Sequence, residues 1–369
     1  MLRTLTAGES HGPALISLVE GLPAGLTVDI AAIDSDLRRR QSGYGRGARQ
    51  QIEVDQVRVL SGLVEGVTIG APVAMLIPNR DYENWRERSV PPWTRPRPGH
   101  ADLAGVVKYG LDDMRLIAER ASARETAARV AAGAVARQVL ETVDIHVGSY
   151  VEAIGAVSMP MTATDPVDPC LRALASDVSC PDEGTSSAMR AAIDAAREEG
   201  DSLGGSIVVV AWGLMPGLGT HVEWDRRLDG RLAQALMSIQ AIKGLEIGPA
   251  FENARLPGTQ VHDALYAGGV RRTNRAGGLE GGMTNGEPLW MRIAMKPIPT
   301  TVTPIPTIDQ RTGKETTTQY QRSDVCAVPA AAVVAEAMTA LVLADALLER
   351  YGGDSMSTLV RRVQDERTR

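Results

Sequence analysis

Two histidines stand where general acid–base chemistry could be done. His11 lies in the segment Gly8-Glu9-Ser10-His11-Gly12, and His100 in Pro96-Arg97-Pro98-Gly99-His100-Ala101-Asp102. Two prolines and a glycine stiffen the second segment, and a rigid loop can hold an imidazole within the ~3 Å that proton transfer requires. The plainer alternative is a loop histidine that caps a helix or faces water. His146, His221 and His262 sit in ordinary strand or loop contexts and read as structural. The first segment also has the G-x-S-x-G spacing of a nucleophile elbow, so a serine hydrolase acting through Ser10 is one reading. That elbow needs sheet strands upstream, and only seven residues precede Gly8.

The arginines suggest what such histidines would act on. Residues 37–50, LRRRQSGYGRGARQ, carry Arg38, Arg39, Arg40, Arg46 and Arg49 with Gly43, Gly45 and Gly47 between them. The glycines let the chain curl so that Arg46 and Arg49 turn back toward Arg40, forming a pocket for phosphate or carboxylate. Arg120 and Arg124 flank an expected helix start, whose free amides also favour an anion. Arg322, followed by Ser323 and Asp324, opens the last helical region. Formal charge is −6, so a nucleic-acid surface is excluded and the ligands should be small polyanions. The same arginines alone would also suit a non-catalytic anion- or flavin-binding protein.

Other chemistries find little support. Cys170, Cys180 and Cys326 form no CxxC pair and lie near no histidine cluster, which argues against a metal site or a disulfide framework. No GxGxxG follows a strand, and Gly313-Lys314 is followed by Glu315, so neither a dinucleotide fold nor a P-loop is indicated. Apolar stretches are broken before the ~18 to 20 residues of a membrane span, and MLRTLTAGESHG lacks the build of a signal peptide. A cytoplasmic protein with no membrane partner is expected.

The elements that position these residues repeat. Residues 8–26 align with 200–218, sharing Gly8/Gly200, Ser10/Ser202, Gly12/Gly204, Gly21/Gly213 and Gly25/Gly217. Residues 61–77 align with 277–293, matching at Gly66/Gly282, Thr68/Thr284, Gly70/Gly286 and Pro72/Pro288. Two matches in the same order predict a duplicated unit, with halves at about 1–145 and 195–350 joined by 159–186. The second copy keeps the serine but has Leu203 where the first has His11, which marks the serine as a turn residue and His11 as an addition. Short apolar runs bounded by Gly or Pro predict strands at ALISLVEGL, PVAMLI, GSIVVVAWGL and PLWMRIAM. Residues 122–141 predict a helix with a Ser122/Glu125 capping box, and 226–242 and 329–350 two more. Mixed sheets with helices on one face give an α+β class, and the charged 351–369 tail is expected to be solvated.

GESHGPAL, DLRRRQSGYGRGARQQIEVDQV, PRPGHADLAGVVKYG, RASARETAARVAAGA, EGGMTNG, MKPIPT and RSDVCAVPAAAVVAEA, in that order, resemble the successive blocks of the chorismate synthase family. The likeness runs from Thr6 to about Glu349. One departure is Ala121, where the family commonly has serine. The resemblance implies a β-α-β sandwich of two pseudo-symmetric halves assembled as a homotetramer. It implies conversion of 5-enolpyruvylshikimate 3-phosphate to chorismate by anti 1,4-elimination of phosphate, requiring reduced FMN (FMNH2), with NADPH as a possible indirect reductant. Carried over, His11 resembles the acid for departing phosphate, His100 the group that balances the reduced flavin, and Asp324 the carboxylate that helps take the substrate hydrogen. Arg40, Arg46, Arg49, Arg97, Arg124 and Arg322 would hold substrate anions. Arg120, Ala121, Ser122, Gln240, Ala241, Gly281, Lys296, Pro297, Ile298, Pro299, Thr300 and Arg322 would hold FMN, and Arg40 and Arg46 could meet an NADP phosphate.

Overall fold

A computed structural model describes residues 1–47, 52–160 and 166–368. The strands are β1 (Arg3–Ala7), β2 (Ala14–Glu20), β3 (Arg58–Ser61), β4 (Val73–Pro78), β5 (His146–Ile154), β6 (Val157–Ser158), β7 (Gly205–Trp212), β8 (Ile242–Ile247), β9 (Leu289–Met295), β10 (Pro306–Asp309) and β11 (Lys314–Thr317). The principal helices are α1 (Ile30–Gln41), α2 (Asp102–Tyr109), α3 (Met114–Ala121), α4 (Thr126–Glu141), α5 (Val167–Ala173), α6 (Glu183–Glu198), α7 (Leu228–Met237), α8 (Val328–Tyr351) and α9 (Met356–Arg367). Each of the four apolar runs forms a strand, as their bounded lengths dictate.

Two antiparallel sheets, ordered β1-β2-β4-β3 and β8-β9-β7-β5-β6, enclose a helical layer. Helix α4 packs on the first sheet, α8 on the second, and the two helices on each other, so the fold is α+β and a β-α-β sandwich. A side chain at Gly133 would fall 2.4 Å from the Ala337 Cβ, so only glycine lets α4 and α8 cross this closely. Helix α8 is apolar nearly all round because it is buried in the middle layer. Its one buried acid, Glu336, receives Arg39 and Arg137 guanidinium donors and the Ser149 hydroxyl, tying α1, α4, α8 and β5 together.

The two sheets share a register. Leu15 faces Ile77 and Val19 faces Val73 across β2 and β4, while Ile207 faces Ile293 and Ala211 faces Leu289 across β7 and β9. These are the positions that the sequence alignment pairs. The Thr68 hydroxyl donates to Pro23 O (2.6 Å) and accepts from Leu26 N (2.9 Å). The Thr284 hydroxyl donates to Met215 O (2.6 Å) and accepts from Leu218 N (2.8 Å). An edge strand of the second sheet, β6, precedes the segment 159–186.

Three local expectations need correction. Ser122 caps only Arg124 N (3.2 Å), at a short 3-10 turn, because the Glu125 carboxylate is drawn to Gln240 and Arg129 and makes no reciprocal box. The helix expected over 226–242 is confined to 228–237, since Ser238–Ala241 turns the chain into β8. The C-terminal end is no solvated tail: α9 buries Met356, Leu359 and Val363, an apolar stripe at helical spacing, and Arg367 donates to Val143 O and Gly213 O.

Candidate active site

One cavity of about 750 Å³ opens between the halves at one end of the helical layer. The start of α4 (Thr126) and that of α8 (Ala327, Ala330, Ala331) both line it, so two helix N-termini add positive potential to its wall. The first turn, 8–12, enters from the β1–β2 connection. Gly8 takes φ +106°, and a Cβ there would meet Ala14 O at 2.4 Å, which fixes the sharp reversal that delivers His11. Glu119 on α3 receives the turn: its backbone carbonyl accepts from Ser10 N (2.9 Å) and its carboxylate from His11 N (2.7 Å). His11 Nδ1 lies 2.8 Å from the same carboxylate, and its ring packs against Trp85 at 4.2 Å between centroids.

His100 is held in the same manner from the start of α2. Its Nδ1 lies 2.5 Å from Asp102 Oδ1, and Arg97 grips both Asp102 oxygens at 2.8 and 2.9 Å. Burial alone would raise the Asp102 carboxyl; the hydrogen bonds from His100 and Arg97 and the Arg97 charge outweigh it and hold the group far below the usual carboxylate range.

The arginine run folds inward as its glycines allow. Gly43 and Gly45 adopt φ +113° and +86°, and Arg46 returns to meet Asp324 at 2.8 Å, with Gly47 N donating to the other Asp324 oxygen at 2.7 Å. Deeper, fully buried Asp55 is shared by Arg40 (2.6 Å) and Arg124 (2.6 Å). Burial pushes the Asp55 carboxyl up, and the Arg40 and Arg124 charges more than reverse it, leaving it lowered. Burial also draws the Arg40 guanidinium down to about 10, opposed by Asp55, so it stays cationic at neutral pH. Among the described residues, the buried Arg40 Nε, Arg46 Nε and Gln240 Oε1 have no hydrogen-bond partner. Three buried polar atoms without partners on one cavity mark groups that a ligand would satisfy.

The cavity thus gathers His11, His100, Asp324, Arg40, Arg46, Arg97, Arg124, Arg322, Ala121, Ser122, Gln240, Ala241, Lys296, Ile298, Pro299 and Thr300. Three expected residues do not line it. Arg120 turns to the β1 edge, donating to Thr6 O (2.9 Å) and Gly8 O (3.2 Å). Pro297 points to solvent from a segment whose neighbours Lys296 and Ile298 face inward. Gly281 occupies the tight turn between the two-residue strands Leu279–Glu280 and Met283–Thr284, at φ +59°. Arg49 lies outside the described residues. Sequence reasoning missed Glu119, Asp55 and Trp85, because nothing local distinguishes a carboxylate that folds against a histidine 108 positions away.

An α+β sandwich whose cavity is lined by arginines and two carboxylate-clamped imidazoles has the groups of an enzyme that acts on a small anionic substrate. The chorismate synthase family profile matches residues 2–348. The chain is 55% identical to chorismate synthase of Symbiobacterium thermophilum, over 98% of this chain and 97% of that one. It is 53% identical to that of Desulforudis audaxviator, over 98% and 96%. A crystal structure of chorismate synthase superposes with a TM-score of 0.82 at 43% identity, over 99% of this chain and 97% of the other. The chain belongs to the chorismate synthase family, and its chemistry is that of a phosphate-eliminating lyase.

Proposed function

We propose that this cavity converts 5-enolpyruvylshikimate 3-phosphate to chorismate by anti 1,4-elimination, with reduced FMN bound beside the substrate. The observation that carries the reading is the convergence, among the described residues, of six arginines (Arg40, Arg46, Arg88, Arg97, Arg124 and Arg322) and two clamped histidines on one cavity. A substrate with one phosphate and two carboxylates, next to a flavin phosphate, brings together negative charge that such a wall offsets. Arg40, Arg46, Arg97, Arg124 and Arg322 hold the substrate anions, and His11 gives its proton to the departing phosphate. His100, fixed by Asp102, faces the cavity as the group that balances a reduced flavin. Asp324, oriented by Arg46 and Gly47, is the carboxylate that helps take the hydrogen lost from the ring carbon.

The residues fit FMN. Gln240 Oε1 awaits a donor, Thr300 and Lys296 are polar groups on the wall, and Ile239, Met295, Ala331 and Val334 give it an apolar stretch suited to a planar ring. When bound, reduced FMN supplies electron density that the elimination borrows and returns, with no net oxidation. Ala121 leaves only backbone contact at its position, while Ser122 remains on the wall. Arg40 and Arg46 both line the cavity, paired with Asp55 behind it and Asp324 on its wall, so an NADP phosphate contacting them would lie in this same space; NADPH would then serve as indirect reductant.

The shared register and the paired Thr68 and Thr284 bonds support a single domain built by duplication. Exposed Leu5, Ile16 and Leu60 on the outer face of the first sheet support assembly into a cytoplasmic homotetramer. The test of the function is phosphate release from 5-enolpyruvylshikimate 3-phosphate under anaerobic conditions with supplied reduced FMN. Equal amounts of phosphate and chorismate are expected; binding without release would reduce the protein to an anion-binding one.

A further inference from the structure

The turns at 8–12 and 200–204 differ in more than one residue. In the second, Leu203 N donates to a backbone carbonyl, that of Val325, at 2.9 Å. In the first, the equivalent amide of His11 donates instead to a side chain, the Glu119 carboxylate, at 2.7 Å, and the same carboxylate reaches His11 Nδ1 at 2.8 Å. The Glu119 carbonyl also accepts from Ser10 N at 2.9 Å. Three contacts from one residue fix both backbone and ring, where the second copy has no imidazole and its own carboxylate, Asp201, accepts from Ser202 N at 2.8 Å. The backbone contacts hold the turn; the contact to Nδ1 adds a fixed tautomer and ring orientation, which proton delivery requires.

We propose that Glu119 is the positioning residue that makes His11 a proton donor, a role that rests on the reading of His11 as the acid. A carboxylate only accepts, so Nδ1 carries a hydrogen in both states of the ring and Nε2 is the atom that delivers. In the step, the C–O bond to phosphate breaks with its electron pair on oxygen, and the Nε2 proton passes to that oxygen. The ring is left neutral, its remaining hydrogen on Nδ1 and bonded to Glu119. Other charged groups near the turn are Glu9 within it, and Asp81 and Arg88, both in contact with Trp85.

The test is Glu119→Gln in the full chain. Its carboxamide oxygen can still accept from His11 N, which turns the NH2 toward Nδ1 and favours the opposite tautomer. Turnover should fall about 100-fold, the scale of a general acid, with KM within about threefold of the parent, and the limb of the pH–rate profile that reports the acid should move to lower pH. Unchanged turnover and an unchanged profile would overturn the role of Glu119. His11→Ala tests the parent reading separately: if it keeps turnover, the acid assignment fails; if it loses turnover while Glu119→Gln does not, only Glu119 is wrong. Should Glu119→Gln fold poorly, nitrogen NMR of the unsubstituted protein decides: neutral His11 with hydrogen on Nδ1 is expected, and hydrogen on Nε2 contradicts the proposal.

Discussion

The turns that begin β2 and β7 have the same glycines, the same register behind them and serines of equal burial, Ser10 and Ser202, each 4% exposed. One faces the cavity with an imidazole held by Glu119; the other presents Leu203, which packs against the core, while the Ser202 hydroxyl donates to Ile298 O at 2.7 Å. The difference teaches that one backbone frame serves both turns, while only the first carries an imidazole and the carboxylate that holds it, which is where the proposed reading places the chemistry. The serine belongs to the frame, which removes the main support for a hydrolase.

The strongest way to break this comparison is to make the first turn like the second. His11→Leu should lower turnover by ~10² to 10⁴ with little change in substrate affinity or thermal stability, since the second turn accommodates leucine on the same backbone. Near-normal phosphate release by that variant would mean that the asymmetry has no chemical content.

Helices α1, α4 and α8 and strand β5 meet at Glu336, whose carboxyl burial would raise but the Arg39 and Arg137 charges bring down to about 2. A carboxyl depressed in the folded state contributes stability that is complete above its ordinary value of 4.5 and is lost as pH falls toward 2. Replacing Glu336 by Ala leaves Arg39 and Arg137 with only Asp36, at 3.0 and 3.5 Å, as a shared carboxylate and should cost ~3 kcal/mol. Acid denaturation of the variant should also lose its pH dependence in that window; an unchanged acid transition would show that the network does not join these elements.

A smaller effect separates arginines that the sequence run does not distinguish. Arg46→Ala should weaken substrate binding more than tenfold, the cost of losing charge-assisted contacts at ~1.5 to 3 kcal/mol, whereas Arg38→Ala should leave titration calorimetry nearly unchanged. Equal, small losses would return the whole run to solvated surface. The smallest difference is expected between Thr68→Val and Thr284→Val. Each removes one donated and one accepted bond of the same geometry, so each should destabilise by ~1 to 3 kcal/mol, and the two midpoints in urea should agree to about 0.5 kcal/mol.

The frame was legible in the sequence because it is written in short-range terms: glycines at reversals, apolar runs of strand length, an alanine-rich helix. The cavity was legible in part because its arginines and histidines fall in compact segments, Arg40 with Arg46 and Arg97 with His100. What could not be read were pairings made across long sequence distances. Asp55 neutralises Arg124 from 69 positions away, and nothing near either residue announces it. Arg120 and Pro297 illustrate the opposite error: each sits beside a residue that lines the cavity, but successive side chains leave a helix or an extended segment in different directions.

The central claim is that this cavity eliminates phosphate with no net oxidation, His11 supplying the proton. It is tested most directly by loading the protein once with reduced FMN under strict anaerobiosis and counting phosphate released per flavin. Many equivalents per flavin are expected, with the flavin spectrum returning to the reduced form and His11→Leu releasing almost none. One flavin oxidised for each phosphate, or equal release from the His11→Leu variant, would contradict it.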